Sequence, residues 1–146
     1  MAETAQEYPG KVVVVGCGRL GAILASELSR IGSQVVVIDR NRAAFAMLDT
    51  GFSGFQVTGD AIELDVLRAA DLAAADCLLA TTEKDTVNLM VTQVARTVFA
   101  VPRVLARVYD PRLEDFYRSI GIAIISPTSL TAREFLQVIA RPEARS

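Results

Sequence analysis

The segment VVVVGCGRLG, residues 12–21, sets Gly16, Gly18 and Gly21 in G-x-G-x-x-G spacing directly after a run of valines. Glycines so placed can serve a dinucleotide. The first permits a tight turn, the second lets a pyrophosphate reach the backbone, and the third lets helix and strand pack closely. With Cys17 between the first two and Arg19 and Leu20 opening the helix, the free N–H groups and positive dipole end would face the phosphates. Arg19 opposes that dipole, so it reads as a phosphate partner or as a solvated cation. Asp39 stands roughly 20 positions further on, at the end of a second strand-like run, where a carboxylate can accept hydrogen bonds from both ribose hydroxyls. It would repel a 2′-phosphate, which disfavours NADP, although Arg40 beside it acts the other way. The plainer alternative is a glycine turn and a surface aspartate with no ligand.

Other chemistry-bearing residues leave alternatives open. Asp60, between Gly59 and Ala61, is either an N-cap or a ligand contact. Arg107 lies in an apolar strand, where an unpaired charge is costly; it either points to the cleft or pairs with Asp110 or Glu114. TTEKD, residues 81–85, brings Thr81 and Thr82 to the end of a strand, as a ligand site or as a solvated loop. There is no histidine, no G-x-S-x-G elbow and no cysteine–histidine pair, so nothing equips the chain for nucleophilic catalysis. Cys17 and Cys77 read as small buried hydrophobes rather than a disulfide or metal site.

These residues need elements to hold them. Strands are expected at Lys11–Val15, Gln34–Ile38, Phe55–Thr58, Cys77–Thr81, Arg103–Val108 and Ile122–Ile125. Helical spacing lies between them: from Leu20 to Ile31 with Gly32 as cap, over Arg42–Thr50, around Leu64–Leu72, over Val87–Phe99 and over Pro111–Ile120. A last helix, Ser129–Ala140, carries Leu130, Phe135, Leu136 and Ile139 on one stripe. By itself such a stripe usually means core packing. The alternation predicts an α/β fold: a Rossmann-like doubly wound sheet of about six parallel strands, helices on both faces, in a single domain over 10–140. Residues 1–9 and 141–146 are expected to be loose tails.

Bulk properties bound the function. The 146 residues are 51% hydrophobic and 22% charged, with net charge −2. That is a globular balance with no basic field to attract nucleic acid. No apolar run reaches the roughly 18 residues of a membrane span, and the acidic start MAETAQEYPGK does not resemble a secretory signal. A cytoplasmic protein is expected.

From residues 16–21, 39 and 59–60 onward the chain resembles the TrkA-type N-terminal domain, also called the regulator-of-potassium-conductance or KTN domain. The likeness covers about residues 10–140. Four later stretches carry it: VTGDA at 57–61, LLATTEKDTVNLM at 78–90, PRVLARVYDPRLEDFYRSIGI at 102–122 and IISP at 124–127. The resemblance implies a Rossmann domain that binds NAD(H) or ATP, ADP or AMP without catalysis and signals to a membrane potassium transporter or channel. By position it implies that the glycine loop holds the phosphates and Asp39 the ribose, with Asp60 and Ala61 beside the adenine. Arg19 and Arg107 would approach the phosphates, and Thr81 and Thr82 would lie near the ligand. It also implies a homodimer, in contact through the last helix, or a larger ring, peripheral to the membrane through its partner. Thr128 stands where some members carry a glutamate that helps bind a divalent cation, so no metal is implied by that route. Members commonly continue into a C-terminal sensing domain. The chain therefore reads as a single-domain version or a piece of a longer protein. The competing reading is the cofactor domain of an NAD-dependent oxidoreductase.

Overall fold

The computed structural model describes residues 7–142. Most of both expected tails lies outside the described residues; within them, Pro9 offers its carbonyl to the Ser33 hydroxyl at 2.7 Å.

Valine alternation builds the centre. Strand β1, Lys11–Val15, sends Val13 and Val15 into one apolar cluster and Val12 and Val14 into the other. This is the period of two expected of a strand covered on both faces. It is flanked by β2, Gln34–Asp39, and β4, Cys77–Ala80, both parallel to it. Adding β3, Phe55–Thr58, β5, Arg103–Arg107, and β6, Ala123–Ile125, gives a six-stranded parallel sheet of order β3-β2-β1-β4-β5-β6. The order reverses between β1 and β4. A crevice at the carboxyl ends of the strands is where such sheets place ligands.

Helix α1, Arg19–Arg30, contributes Ala22 and Ala25 to the Val12 cluster, together with Phe45 and both cysteines. Helices α2, Leu64–Ala69, and α3, Asp85–Thr97, cover the opposite face through Leu67, Val91 and Ala95. Cys17 and Cys77 are free and buried. Burial, with the nearby Asp39 charge second, pushes the Cys17 thiol up to about 11, which keeps it protonated and inert.

Several element boundaries differ from the expectations. Arg42–Met47 forms a 3₁₀ turn, capped by Asn41 accepting from the Ala43 N–H, and does not run on to Thr50. The segment around Leu72 breaks at Asp71, which is left-handed at φ 54°, into α2 and a 3₁₀ turn at Leu72–Ala74. Pro111–Leu113 is likewise a 3₁₀ turn, and only Glu114–Ser119 is helix α4. Strand β4 ends at Ala80, β5 at Arg107, and β2 reaches Asp39.

For the last helix the structure removes one of two readings. Helix α5, Pro127–Ala140, buries no residue. Leu130, Phe135, Leu136, Val138 and Ile139 are 48% to 74% exposed, so the core-packing alternative does not hold.

Candidate functional site

Each loop glycine can be asked what a Cβ would meet. At Gly16 φ is +97° and a Cβ would lie 3.0 Å from the Thr82 nitrogen. Only glycine suits that backbone. At Gly21 a Cβ would fall 1.7 Å from the Gly16 carbonyl oxygen and 2.8 Å from Thr81 Oγ1, so helix and strand close on each other there. Gly59 is similarly filled, by Val66 at 2.6 Å.

Gly18 is different. Its backbone, φ −78° and ψ −161°, is open to any residue. A Cβ would find no heavy atom within 4 Å. Nothing in the chain's own packing asks for glycine at this position. Gly18 is also the N-cap of α1, supplies no side-chain cap, and is followed by no acidic residue in the first turn. The N–H groups of such a turn have no intrahelical acceptor. Arg19 and Gly18 are exposed and Leu20 is half-buried. Among the described residues Arg19 forms no ion pair.

The acid closing β2 reaches the same loop. Asp39 Oδ2 accepts from the Cys17 N–H at 2.7 Å, and Oδ1 accepts from the Asn41 N–H at 2.8 Å. A carboxylate has about four acceptor positions, so both oxygens keep capacity for a further donor. Arg40, exposed, lies with Nε 3.7 Å from Asp60 Oδ2. The N-cap of α2 is Glu63, so Asp60 does not cap that helix. It shapes the turn ahead of it, accepting from the Ile62 N–H at 3.1 Å. Ala61 is buried, with its methyl in the core cluster, which leaves only its backbone to face a ligand.

Thr81 and Thr82 follow β4 and lie against the loop. The Thr81 hydroxyl contacts the Val15 and Gly16 carbonyls at 3.0 and 3.1 Å. Thr82 is held by Asn88, whose Oδ1 accepts from the Thr82 N–H at 3.0 Å and from its hydroxyl at 2.6 Å. Asn88 Nδ2 donates to the carbonyls of Thr82 and Arg107. TTEKD is therefore a braced wall. The motifs give no hint of its bracing residue, although a fully buried asparagine in the apolar stripe with Val91 and Ala95 is the signal that could have found it.

Arg107 turns to this wall. Its Nη2 donates to the carbonyls of Thr81 and Thr82, and its guanidinium lies 4.6 Å from the centroid of the Tyr109 ring. Pairing with Asp110 or Glu114 does not occur. Asp110 is bound by Arg112, which holds its carboxyl below the usual range. Glu114 is taken first by the Ser129 hydroxyl and also by Arg118, with the same direction of shift. Arg107 Nε is buried and has no acceptor among the described residues. An unmet charged donor of this kind is costly unless something else supplies the acceptor.

Two open cavities, about 100 and 510 Å³, lie elsewhere, between α1 and residues 47–51. Neither is lined by a glycine-loop residue.

The model of the TrkA-N domain family matches residues 12–127. The chain belongs to that family. A Streptomyces coelicolor protein called Trk system potassium uptake protein TrkA is 38% identical over 126 residues, covering 86% of this chain and 56% of that protein. A Mycobacterium tuberculosis protein of the same name is 34% identical over 125 residues, covering 84% of this chain and 56% of its own length. This TrkA-N domain thus spans just over half the length of these relatives. Among solved structures, the TrkA-N domain of the inner membrane protein ybaL from Escherichia coli superposes with a TM-score of 0.78 at 21% identity, covering 91% of this chain and 98% of that one. The GsuK RCK domain does so at 0.72 and 25%, covering 86% and 27%. The potassium-transport relatives and the Rossmann-like fold agree with the resemblance carried by the motifs. No described helix of this TrkA-N domain is long and apolar enough to cross a membrane.

Proposed function

We propose that this TrkA-N domain binds NAD(H) or an adenine nucleotide, ATP, ADP or AMP, at the carboxyl ends of its central strands. As a non-catalytic module it passes the ligand state to a membrane potassium transporter or channel. The observation that carries the reading is Gly18, a glycine in ordinary backbone with open space where its side chain would be. A phosphate approaching the bare backbone accounts for it. Residues 16–21 then cradle the phosphates, with Arg19 free to add charge, Asp39 takes the ribose, and residues 59–61 line the base. Thr81 and Thr82 form the far wall, and a phosphate oxygen would satisfy the buried Nε of Arg107.

The relatives support the same direction. GsuK, 24% identical to this chain, has been solved as a channel bound to NAD and also bound to ADP, and a Shewanella denitrificans Kef domain is described in an AMP-bound form. A regulatory role requires different affinities for two arrangements of the protein, because only differential binding shifts an equilibrium.

The test is calorimetric titration of the purified protein with NADH, NAD, ATP, ADP and AMP. At least one is expected to bind at sub-millimolar concentration, and silence from all five rejects the reading. Asp39→Ala should weaken the ligand that binds by about 1–3 kcal/mol through lost charge-assisted hydrogen bonds.

The exposed stripe of α5 is assigned to a second copy of the chain. An apolar surface of this kind marks an association site, and the helix base is anchored, with Ser129 donating to Glu114 and Thr128 to the Tyr109 carbonyl. Phe135→Glu should convert a sedimenting dimer to a monomer at micromolar concentration. A wild-type protein that sediments as a monomer refutes the assignment.

A further inference from the structure

Three charges meet where β2 and β3 end. Asp39 is held in place by the Cys17 and Asn41 N–H groups. Arg40 follows it and reaches across the gap between the strands to Asp60, with Nε 3.7 Å from Oδ2. Asp60 is fixed in turn: Oδ1 accepts from the Ile62 N–H at 3.1 Å, and its carbonyl accepts from the Glu63 N–H at 3.0 Å. The strand ends are themselves locked, Asp39 pairing in register with Thr58 and the Gly59 N–H donating to the Asp39 carbonyl at 2.9 Å. The carboxylate of Asp60 therefore stands at a set position from which it pairs, across 3.7 Å, with the exposed cation adjoining the ribose acid. Arg42, exposed and two residues further on, begins the 3₁₀ turn and joins none of these contacts.

An adenosine 2′-phosphate is recognised in folds of this type by an arginine near the end of the second strand. Here such an arginine is present, yet it faces an aspartate. We propose that Asp60 is a specificity-determining residue that sets the choice between a 2′-hydroxyl and a 2′-phosphate. This rests on the nucleotide-binding reading above. Asp60 acts in two ways. It occupies Arg40, and its own negative charge joins that of Asp39, leaving the strand-end cluster of Asp39, Arg40 and Asp60 with a surplus negative charge. Exposed ion pairs contribute little to stability, so the pair is poorly explained as a structural brace. Its consequence is for the charge of what binds beside it.

Asp60→Asn separates these roles, because an asparagine Oδ1 can still accept from the Ile62 N–H and keep the turn. The experiment titrates wild type, Asp60→Asn and Arg40→Ala/Asp60→Asn with NADH and NADPH, which differ only in the 2′-phosphate. Wild type should favour NADH. Asp60→Asn should raise the affinity for NADPH relative to NADH by on the order of tenfold, and the double variant should lose that gain. If Asp60→Asn weakens both ligands alike, the role of Asp60 is confined to the base and the proposal is overturned. An unchanged NADPH-to-NADH ratio in a variant that still binds NADH overturns it as well. A wild type that binds no nucleotide fails at the underlying reading, which the five-ligand titration identifies separately.

Discussion

Gly18→Ala should lose nucleotide while the fold stays intact. The backbone at this position already suits alanine, and the added methyl meets no protein atom within 4 Å. Two small effects on stability oppose each other. Alanine is a poorer N-cap than glycine, and it reduces the entropy of the unfolded chain by about 0.4–1 kcal/mol. The melting temperature should therefore move little. Binding has no such compensation. The methyl would occupy the approach to the bare backbone, and overpacking a close contact costs about 1–3 kcal/mol. Affinity for whichever nucleotide binds wild type should fall at least about fivefold. Calorimetry and thermal melting on the same sample give both readings. A variant that binds as tightly as wild type removes the main support for a phosphate at this loop.

That a glycine can be missing a structural reason is visible only in three dimensions, and the contrast shows where the sequence stops informing. The valine run, the glycine spacing and Asp39 are local signals. They rest on backbone geometry and period-two burial, so the order of residues along the chain is enough to place them. The six parallel strands follow from the regular exchange of short apolar runs and helical segments along the chain. Helix ends are less legible because they depend on partners distant in the chain. Asp71, for one, interrupts its helix where Lys11, distant in the chain, meets its carboxylate. Arg107 stands out in sequence as a charge among apolar residues, but its choice between Asp110, Glu114 and the cleft is decided by competition. Arg112, Ser129 and Arg118 already hold the two acids, which leaves the Thr81 and Thr82 carbonyls. For α5 an apolar stripe looks the same in sequence whether it faces a core or not; the exposure of Phe135 and Ile139 is what excludes the core.

Gly21→Ala should do the reverse of Gly18→Ala and damage the fold first. Its Cβ would sit 1.7 Å from the Gly16 carbonyl oxygen, and that oxygen cannot yield cheaply. It belongs to a residue held at positive φ, whose N–H donates to the Ile38 carbonyl at 2.8 Å and whose carbonyl is contacted by the Thr81 hydroxyl at 3.1 Å. Relief therefore requires α1 to lift away from β1 and open the cluster that Ala22 and Ala25 complete. Clashes that a side chain can absorb cost about 1–3 kcal/mol; this one is against backbone, so a loss of about 3 kcal/mol or more is expected. For a domain of this size that corresponds to a fall of roughly 10 °C in Tm. Nucleotide binding would weaken too, but only as a consequence of the displaced helix start. The two alanine variants thus test different halves of one loop. If Gly21→Ala melts like wild type, the close packing of α1 on β1 is wrong, and the geometry that singles out Gly18 is wrong with it.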